Sequence, residues 1–242
     1  MQQSELRTST RQRIFILVIA ALMLGASVAI YVAIILSANS TASTDSTIDE
    51  TLIAELYTKI SEKEEELSEK EVDLSNKYFE KFSSYRSKVK GFNANKANEK
   101  LRTEDLKIGS GDEIKTDSTG YGAYYIGWCS NEKVFDSSFD NYESPTKLEK
   151  LLVVEDLGQL IEGWYIGVDG MRLGGARIVT IPGELAYGES QNVCDEESEE
   201  RNVPLKFLIM PIKLGDDYTA ILSEMGEIYK EIYAQYGLEY TE

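Results

Sequence analysis

Any chemistry this chain performs is done without histidine. None of its 242 residues is His, which excludes histidine triads and histidine metal sites. Its two cysteines, Cys129 and Cys194, cannot make a zinc site on their own, although they can make one disulfide. Aromatic and carboxylate side chains are instead concentrated in two stretches. One reads Tyr124-Tyr125-Ile126-Gly127-Trp128 followed by Val134-Phe135-Asp136-Ser137-Ser138, and the other runs from Leu160 to Gly188 and carries Trp164 and Tyr187. Side chains of these types either line a dry pocket or fill a core, and aromatic residues alternating along strands are usually core.

Short elements must position them. Gly163, Gly167 and Gly170 interrupt an apolar segment too short for an ordinary helix, so Leu160 to Asp169 should make a couple of turns before Gly170 reverses the chain. Ala176 to Ile181 then alternates with period two, the pattern of a strand, and Pro182-Gly183 ends it. Asp105 to Asp112 reads as a first strand and turn, Gly122 to Trp128 and Val134 to Ser137 as further strands, and Leu205 to Ile212 as the last one. Asn141 to Leu157 is a long connection, and Glu189 to Asn202 is a polar loop with an acidic run.

Taken in order, Y-x-G, F-D-S-S, L-I-x-G-W-x-x-G-V-x-G-M, I-P and L-A-Y-G resemble the FKBP-type peptidyl-prolyl cis/trans isomerases over roughly Asp105 to Leu214. The resemblance implies an α+β domain, an FKBP-like antiparallel sheet wrapped around a short helix, with no cofactor. It also implies Xaa-Pro segments of client proteins as substrate and a macrolide as possible ligand. Position by position, Tyr125, Phe135, Ile161, Trp164, Tyr187 and Phe207 match the pocket wall, and Leu160 replaces a common valine. Trp164 resembles the floor under the proline ring, while the Ile161 N–H and the Tyr187 hydroxyl resemble the donors that hold substrate carbonyls. Asp136 resembles the pocket carboxylate, expected to accept a hydrogen bond from Tyr125.

Such a site needs neither nucleophile nor metal. Rotation about an amide is opposed by a resonance barrier of about 18–20 kcal/mol, and a dry aromatic pocket lowers it by packing the ring and removing water that supports the planar form. Two departures from the family pattern stand out. Pro145-Thr146 in an expanded connection replaces the usual proline-aromatic pair, and Asn202-Val203-Pro204 replaces the usual last-loop segment, leaving Val203 as the candidate apolar lip. In the resembled fold the loop holding Cys194 hangs over the face to which alternation directs Cys129 and Tyr125, so a Cys129–Cys194 disulfide is a candidate, with two free thiols as the alternative. A non-catalytic module that grips proline segments or acts as a chaperone is the alternative to an active isomerase.

The rest of the chain supplies placement. Ile14 to Ala38 has no charged residue, long enough at about 1.5 Å per residue to cross about 30 Å of hydrocarbon. Arg7, Arg11 and Arg13 outweigh Glu5 before it, so residues 1–13 are expected in the cytoplasm and the remainder across the membrane. A cleaved signal ending at Leu36-Ser37-Ala38 is the competing reading. Residues 39–100 read as tether, helical stalk and linker, with the domain at 101–215 and an amphipathic helix at 216–242 carrying Ile221, Met225, Ile228 and Ile232. Ile53, Ile60, Leu67 and Leu74 recur by sevens in the stalk, half of a coiled-coil seam. Lys63, Lys70 and Lys77 spoil its other half, which leaves a solvated helix or helical hairpin acting as a stalk, or a self-associating coiled coil, as the readings. With 42 acidic against 25 basic residues the net charge is -17, and no basic stripe exists for nucleic acid.

Overall fold

The computed structural model describes residues 49–238 apart from Gln191 and Glu196. The candidate membrane segment 14–38, the residues before it and the tether lie outside them. Among the described residues no helix is long and apolar enough to cross a membrane.

Helix α1 runs from Glu50 to Arg86. Asp49 caps it, its carboxylate accepting from the Thr51 and Leu52 N–H groups at 3.0 and 3.1 Å, with Glu50 in the first turn and Arg86 in the last, both complementing the helix dipole. Asn93 caps the single turn α2 (Ala94–Ala97), inside what reads in the sequence as plain linker. Six strands follow: β1 (Arg102–Lys107), β2 (Tyr121–Trp128), β3 (Val134–Ser137), β4 (Leu152–Val154), β5 (Ala176–Ile181) and β6 (Leu205–Lys213), with helix α3 (Glu162–Val168) between β4 and β5 and helix α4 (Asp216–Gln235) at the end.

The sheet order is β1-β5-β6-β2-β3, and every pairing is antiparallel. One edge of β2 pairs along its whole length with β6, while β3 and β4 share its other edge, β4 opposite Tyr121–Ala123 and β3 opposite Ile126–Trp128. Strand β4 falls inside the long connection and adds a sheet element to it. Its three residues are too few for periodicity to declare.

Alternation then sorts the side chains. Tyr121, Ala123, Val179, Ile181, Phe207 and Ile209 face α3, whereas Tyr124, Ile126, Ile178, Leu208, Met210 and Ile212 form the opposite face. Helix α3 lies close against β5: a Cβ at Gly163 would come within 2.3 Å of the Ile181 side chain, and one at Gly167 within 2.4 Å of Val179. Only glycine permits that approach.

The stalk is neither solvated nor left with an open seam. The second half of α1 lies on the back of the sheet, with Phe82 and Tyr85 buried among Tyr124, Ile126 and Leu208 and with Leu74, Tyr78 and Phe79 packed beside them. Its first half pairs with α4, where Leu56 and Ile60 meet Ile221, Met225 and Ile232. Lys63–Glu224 at 2.7 Å and Lys70–Asp217 at 2.5 Å show the two helices to be antiparallel. The heptad half-seam is thus filled within the chain, and two of the lysines that spoil it as a coiled coil, Lys63 and Lys70, face acidic residues of α4.

The expanded connection belongs to the same assembly. Phe139 and Leu148 bridge across it and join the back-face cluster, and the Leu148 N–H donates to Ser75 Oγ of α1 at 2.9 Å. Arg86, at the end of α1, lies over the Tyr142 ring at 5.2 Å and donates to the Tyr142 carbonyl. Lys206 of β6 donates to the carbonyls of Lys90 and Gly91 just beyond. Helix and expanded connection form one packing unit on the back of the sheet.

Candidate active site

On the opposite face the aromatic residues meet edge to face. The centroids of Trp164 and Phe207 are 5.7 Å apart at 78°, those of Phe135 and Phe207 5.7 Å at 85°, and those of Tyr125 and Trp164 5.8 Å at 87°. These are favoured aromatic geometries. They come from four elements: Tyr125 from β2, Phe135 from β3, Trp164 from α3 and Phe207 from β6. Trp164 is 2% exposed, and its Nε1–H donates to Tyr121 Oη at 3.3 Å, so the indole has a fixed orientation. Leu160 and Ile161 pack against the same cluster, Ile161 as the N-cap residue of α3 with no side-chain cap.

Asp136 is half-buried beside these rings. Its Oδ2 accepts from Tyr125 Oη at 2.5 Å and its Oδ1 from the Ser137 N–H at 2.8 Å. Burial and then the bond to Asp136 push the Tyr125 hydroxyl far above its ordinary pKa, so it keeps its proton and the carboxylate is the acceptor. Tyr187 is 39% exposed; burial of its ring and the Asp136 charge both raise its pKa, which leaves it a neutral hydroxyl donor. Ser138, fully buried, accepts from the Tyr125 N–H through Oγ at 2.9 Å, and its own N–H donates to the Tyr125 carbonyl at 2.9 Å. The F-D-S-S motif thereby holds β3 in the position that presents Phe135 and Asp136 together.

Two residues outside the motifs shape the site. Lys150 Nζ lies 2.9 Å from Asp136 Oδ1, reaching it from the expanded connection. Both partners are partly exposed, so the pair orients the carboxylate more than it stabilises the fold. Arg177, 9% exposed, pairs with Asp105 of β1 at 2.7 and 3.1 Å and donates to the carbonyls of Gly167 and Asp169 at 3.0 and 2.8 Å. One guanidinium ties the C-terminal end of α3, and hence Trp164, to the first strand. Arg177→Met should lower stability by about 2 kcal/mol, below the 3–5 kcal/mol of a fully buried pair because Asp105 is partly exposed. A urea titration checks this: an unchanged midpoint would refute the anchoring role.

The loop after β5 closes over this face. A 3-10 turn, Gly183–Leu185, starts it. Asn98 beside α2 holds both ends, accepting from the Gly183 N–H at 2.9 Å and donating to the Asn202 carbonyl at 3.4 Å. Cys194 is disulfide-bonded to Cys129, with their Cα atoms 5.8 Å apart. Val203 is half-buried near the loop's exit and is not among the apolar residues packed on the pocket cluster, whereas Val193, next to the disulfide, is. The pinned cysteine decides which valine approaches the aromatic wall, and the spacing to β6 carries no sign of that pin. For Lys150 the sequence offers no signal.

An antiparallel sheet wrapped on one short helix, whose tryptophan underlies a ring of aromatic side chains with a carboxylate at the rim, defines a class of site built to enclose a small apolar ring. Comparison with known proteins gives the class its family. The family model described as FKBP-type peptidyl-prolyl cis-trans isomerase matches residues 108–210. An FK506-binding protein of Neisseria meningitidis serogroup B is 39% identical over 88 residues, which is 36% of this chain and 74% of that protein. The FK506-binding protein 4 of Neurospora crassa is 44% identical over 85 residues, 35% of this chain, and the match spans only 16% of that protein's length. The crystal structure of AtFKBP13 aligns with 48% of this chain and 93% of its own at 33% identity and a TM-score of 0.37. The chain belongs to the FKBP-type peptidyl-prolyl cis-trans isomerase family.

Proposed function

We propose that this chain is a peptidyl-prolyl cis/trans isomerase, tethered to a membrane by residues 14–38 and acting as a foldase on proteins outside the cytoplasm. The observation that carries the enzymatic reading is the Tyr125–Asp136 hydrogen bond at the rim of the Trp164–Phe207–Phe135 cluster. A core needs the rings but not a carboxylate and a phenol held at their edge. Trp164 would support the proline ring of an Xaa-Pro segment, and the Ile161 N–H and Tyr187 hydroxyl would hold carbonyls on either side. Asp136 would bias the electrostatics of the rotating amide. Exclusion of water weakens the planar, charge-separated form, so the twisted amide is bound better than the ground state. The same walls would accept a macrolide.

The test is exchange of Xaa-Pro peptides followed by NMR on the chain from Asp49 onward. Wild type should accelerate exchange, and Asp136→Asn or Phe135→Ala should lower kcat/KM about tenfold, the scale of one hydrogen bond to a charged group, with the fold intact. A folded wild type inactive on every Xaa-Pro peptide would leave a proline-binding module.

Membrane tethering and placement outside the cytoplasm rest on the uncharged run 14–38 and the arginines before it. The Cys129–Cys194 bond is consistent with an oxidising compartment. Protease added to intact cells should remove the described domain and spare the N-terminal residues. A protected domain would overturn the orientation.

A further inference from the structure

The turn that leads from β4 into α3 is held by two side chains. Gln159 reaches back across it, its Nε2 donating to the Val153 carbonyl at 3.2 Å and its Oε1 accepting from the Glu155 N–H at 3.4 Å. Tyr165 holds it from the helix. Its hydroxyl accepts from the Gly158 and Leu160 N–H groups, both at 3.1 Å, and donates to the Asp156 carbonyl at 3.2 Å. One phenol oxygen thus serves three backbone groups of the turn. Gly158 between them has a φ of +89°, a left-handed conformation that glycine adopts without strain. The half-buried Tyr165 ring packs on the pocket cluster, as do Leu160 and Ile161.

We propose that Tyr165 is a positioning residue of the isomerase: its hydroxyl fixes the turn before α3 and thereby aims the Ile161 N–H at a substrate carbonyl. The inference rests on the isomerase reading of the pocket and adds to it the residue that sets one of its two donors. Ile161 is the N-cap residue of α3, and a helix leaves the N–H groups at its start without partners, so nothing inside the helix orients this one. The peptide that carries it is clamped from both sides instead. Before it, the Leu160 N–H is bonded to Tyr165; after it, the Ile161 carbonyl accepts from the Trp164 N–H at 2.9 Å. Both clamps belong to α3, the helix that also presents Trp164 to the pocket. Floor and donor are therefore tied to one element. Their spacing is set before a client arrives, which limits the ordering cost of binding.

The experiment is Tyr165→Phe in the full-length chain in detergent micelles, a change that keeps the ring and its packing and removes only the hydroxyl. Amide hydrogen exchange should quicken at Gly158 and Leu160. The KM for capped Ala-Leu-Pro-Phe should rise about fivefold with kcat unchanged, the scale of one neutral hydrogen bond lost equally from ground and transition states. Phe82→Leu is the control: it loosens the back of the sheet, where Phe82 is buried, so it should lower the thermal midpoint and leave both constants at their wild-type values. Wild-type constants in Tyr165→Phe, or a fall in kcat at unchanged KM, would overturn the positioning role and leave the isomerase reading intact. A loss of turnover shared by Phe82→Leu would also overturn it, because the effect would then follow stability and not the donor. A wild type without turnover would end the isomerase reading, and fluorescence anisotropy of the labelled peptide would still decide the role of Tyr165. Binding weakened about fivefold by Tyr165→Phe supports it, and equal affinity refutes it.

Discussion

Phe82→Ala should destabilise the chain by about 3–5 kcal/mol and lower its thermal midpoint by on the order of 10 °C, although Phe82 lies on a helix that reads as a stalk. The ring is fully buried between Tyr124 of β2 and Phe139, just before the expanded connection, with centroids 6.2 and 5.3 Å away. Its removal opens a cavity where α1, the sheet and the connection meet, so no single element can move to fill it. Removing the whole helix should be worse. A chain beginning at Leu101 would leave Tyr124, Ile126, Leu208, Met210 and Ile212, none more than 1% exposed in the intact protein, as a contiguous apolar face in water. Such a fragment is expected to aggregate on expression. Circular dichroism melts of Phe82→Ala check the first part. Prolyl-peptide exchange measured well below the midpoint should match wild type, because Phe82 lies on the far side of the sheet from Trp164. A midpoint within 2–3 °C of wild type would show that α1 is dispensable to the fold.

Reducing the disulfide should cost nearly as much by a different route. The bond closes a span of 65 residues, and the chain-entropy relation assigns a loop of that length about 4 kcal/mol. The loop's base is already secured without it, since Asn98 bridges Gly183 and Asn202. Reduction therefore frees the tip and relaxes the unfolded chain while leaving the sheet intact. A melt in dithiothreitol should fall by on the order of 10 °C, and Cys129→Ala with Cys194→Ala should melt at the reduced value and no longer respond to reductant. An unchanged midpoint would show that the bond restrains nothing.

How far the sequence foretold this molecule depended on the range of each interaction. The α3–β5 unit was legible because its determinants are local: glycines at 163, 167 and 170, a period-two strand and a Pro-Gly stop within about two dozen residues. Tyr125, Phe135, Asp136 and Trp164 were legible through ordered motifs, and Phe207 only by its position in the resembled family; the structure brings them together. Helix α1 was legible as a helix but not in its role. The heptad positions 60 and 67 point to one partner, while Leu74, Tyr78, Phe82 and Tyr85 follow a drifting stripe toward another, and no local pattern says that the first is α4 and the second a sheet. Arg177 reads as a polar residue in a strand until Asp105, 72 positions earlier, is placed beside it. Val193 and Lys150 owe their positions to a disulfide and to an expanded connection, features whose geometry exists only once the chain has closed.

The strand order also fixes a timetable for the growing chain. Strand β6 is flanked by β2 and β5 at the middle of the sheet, yet it is the last strand to be made. Between the synthesis of β2 and that of β6 the ribosome adds roughly 80 residues, on the order of ten seconds at ordinary elongation rates. Throughout that interval β2 presents an open edge, the kind of surface that recruits other chains. Helix α1 precedes every strand, so its aromatic stripe at Tyr78, Phe79 and Phe82 is present before the sheet face it will cover. A nascent chain of this protein carries its own escort for the exposed sheet, and an FKBP-type domain stripped of that helix would have to reach its native state unaided.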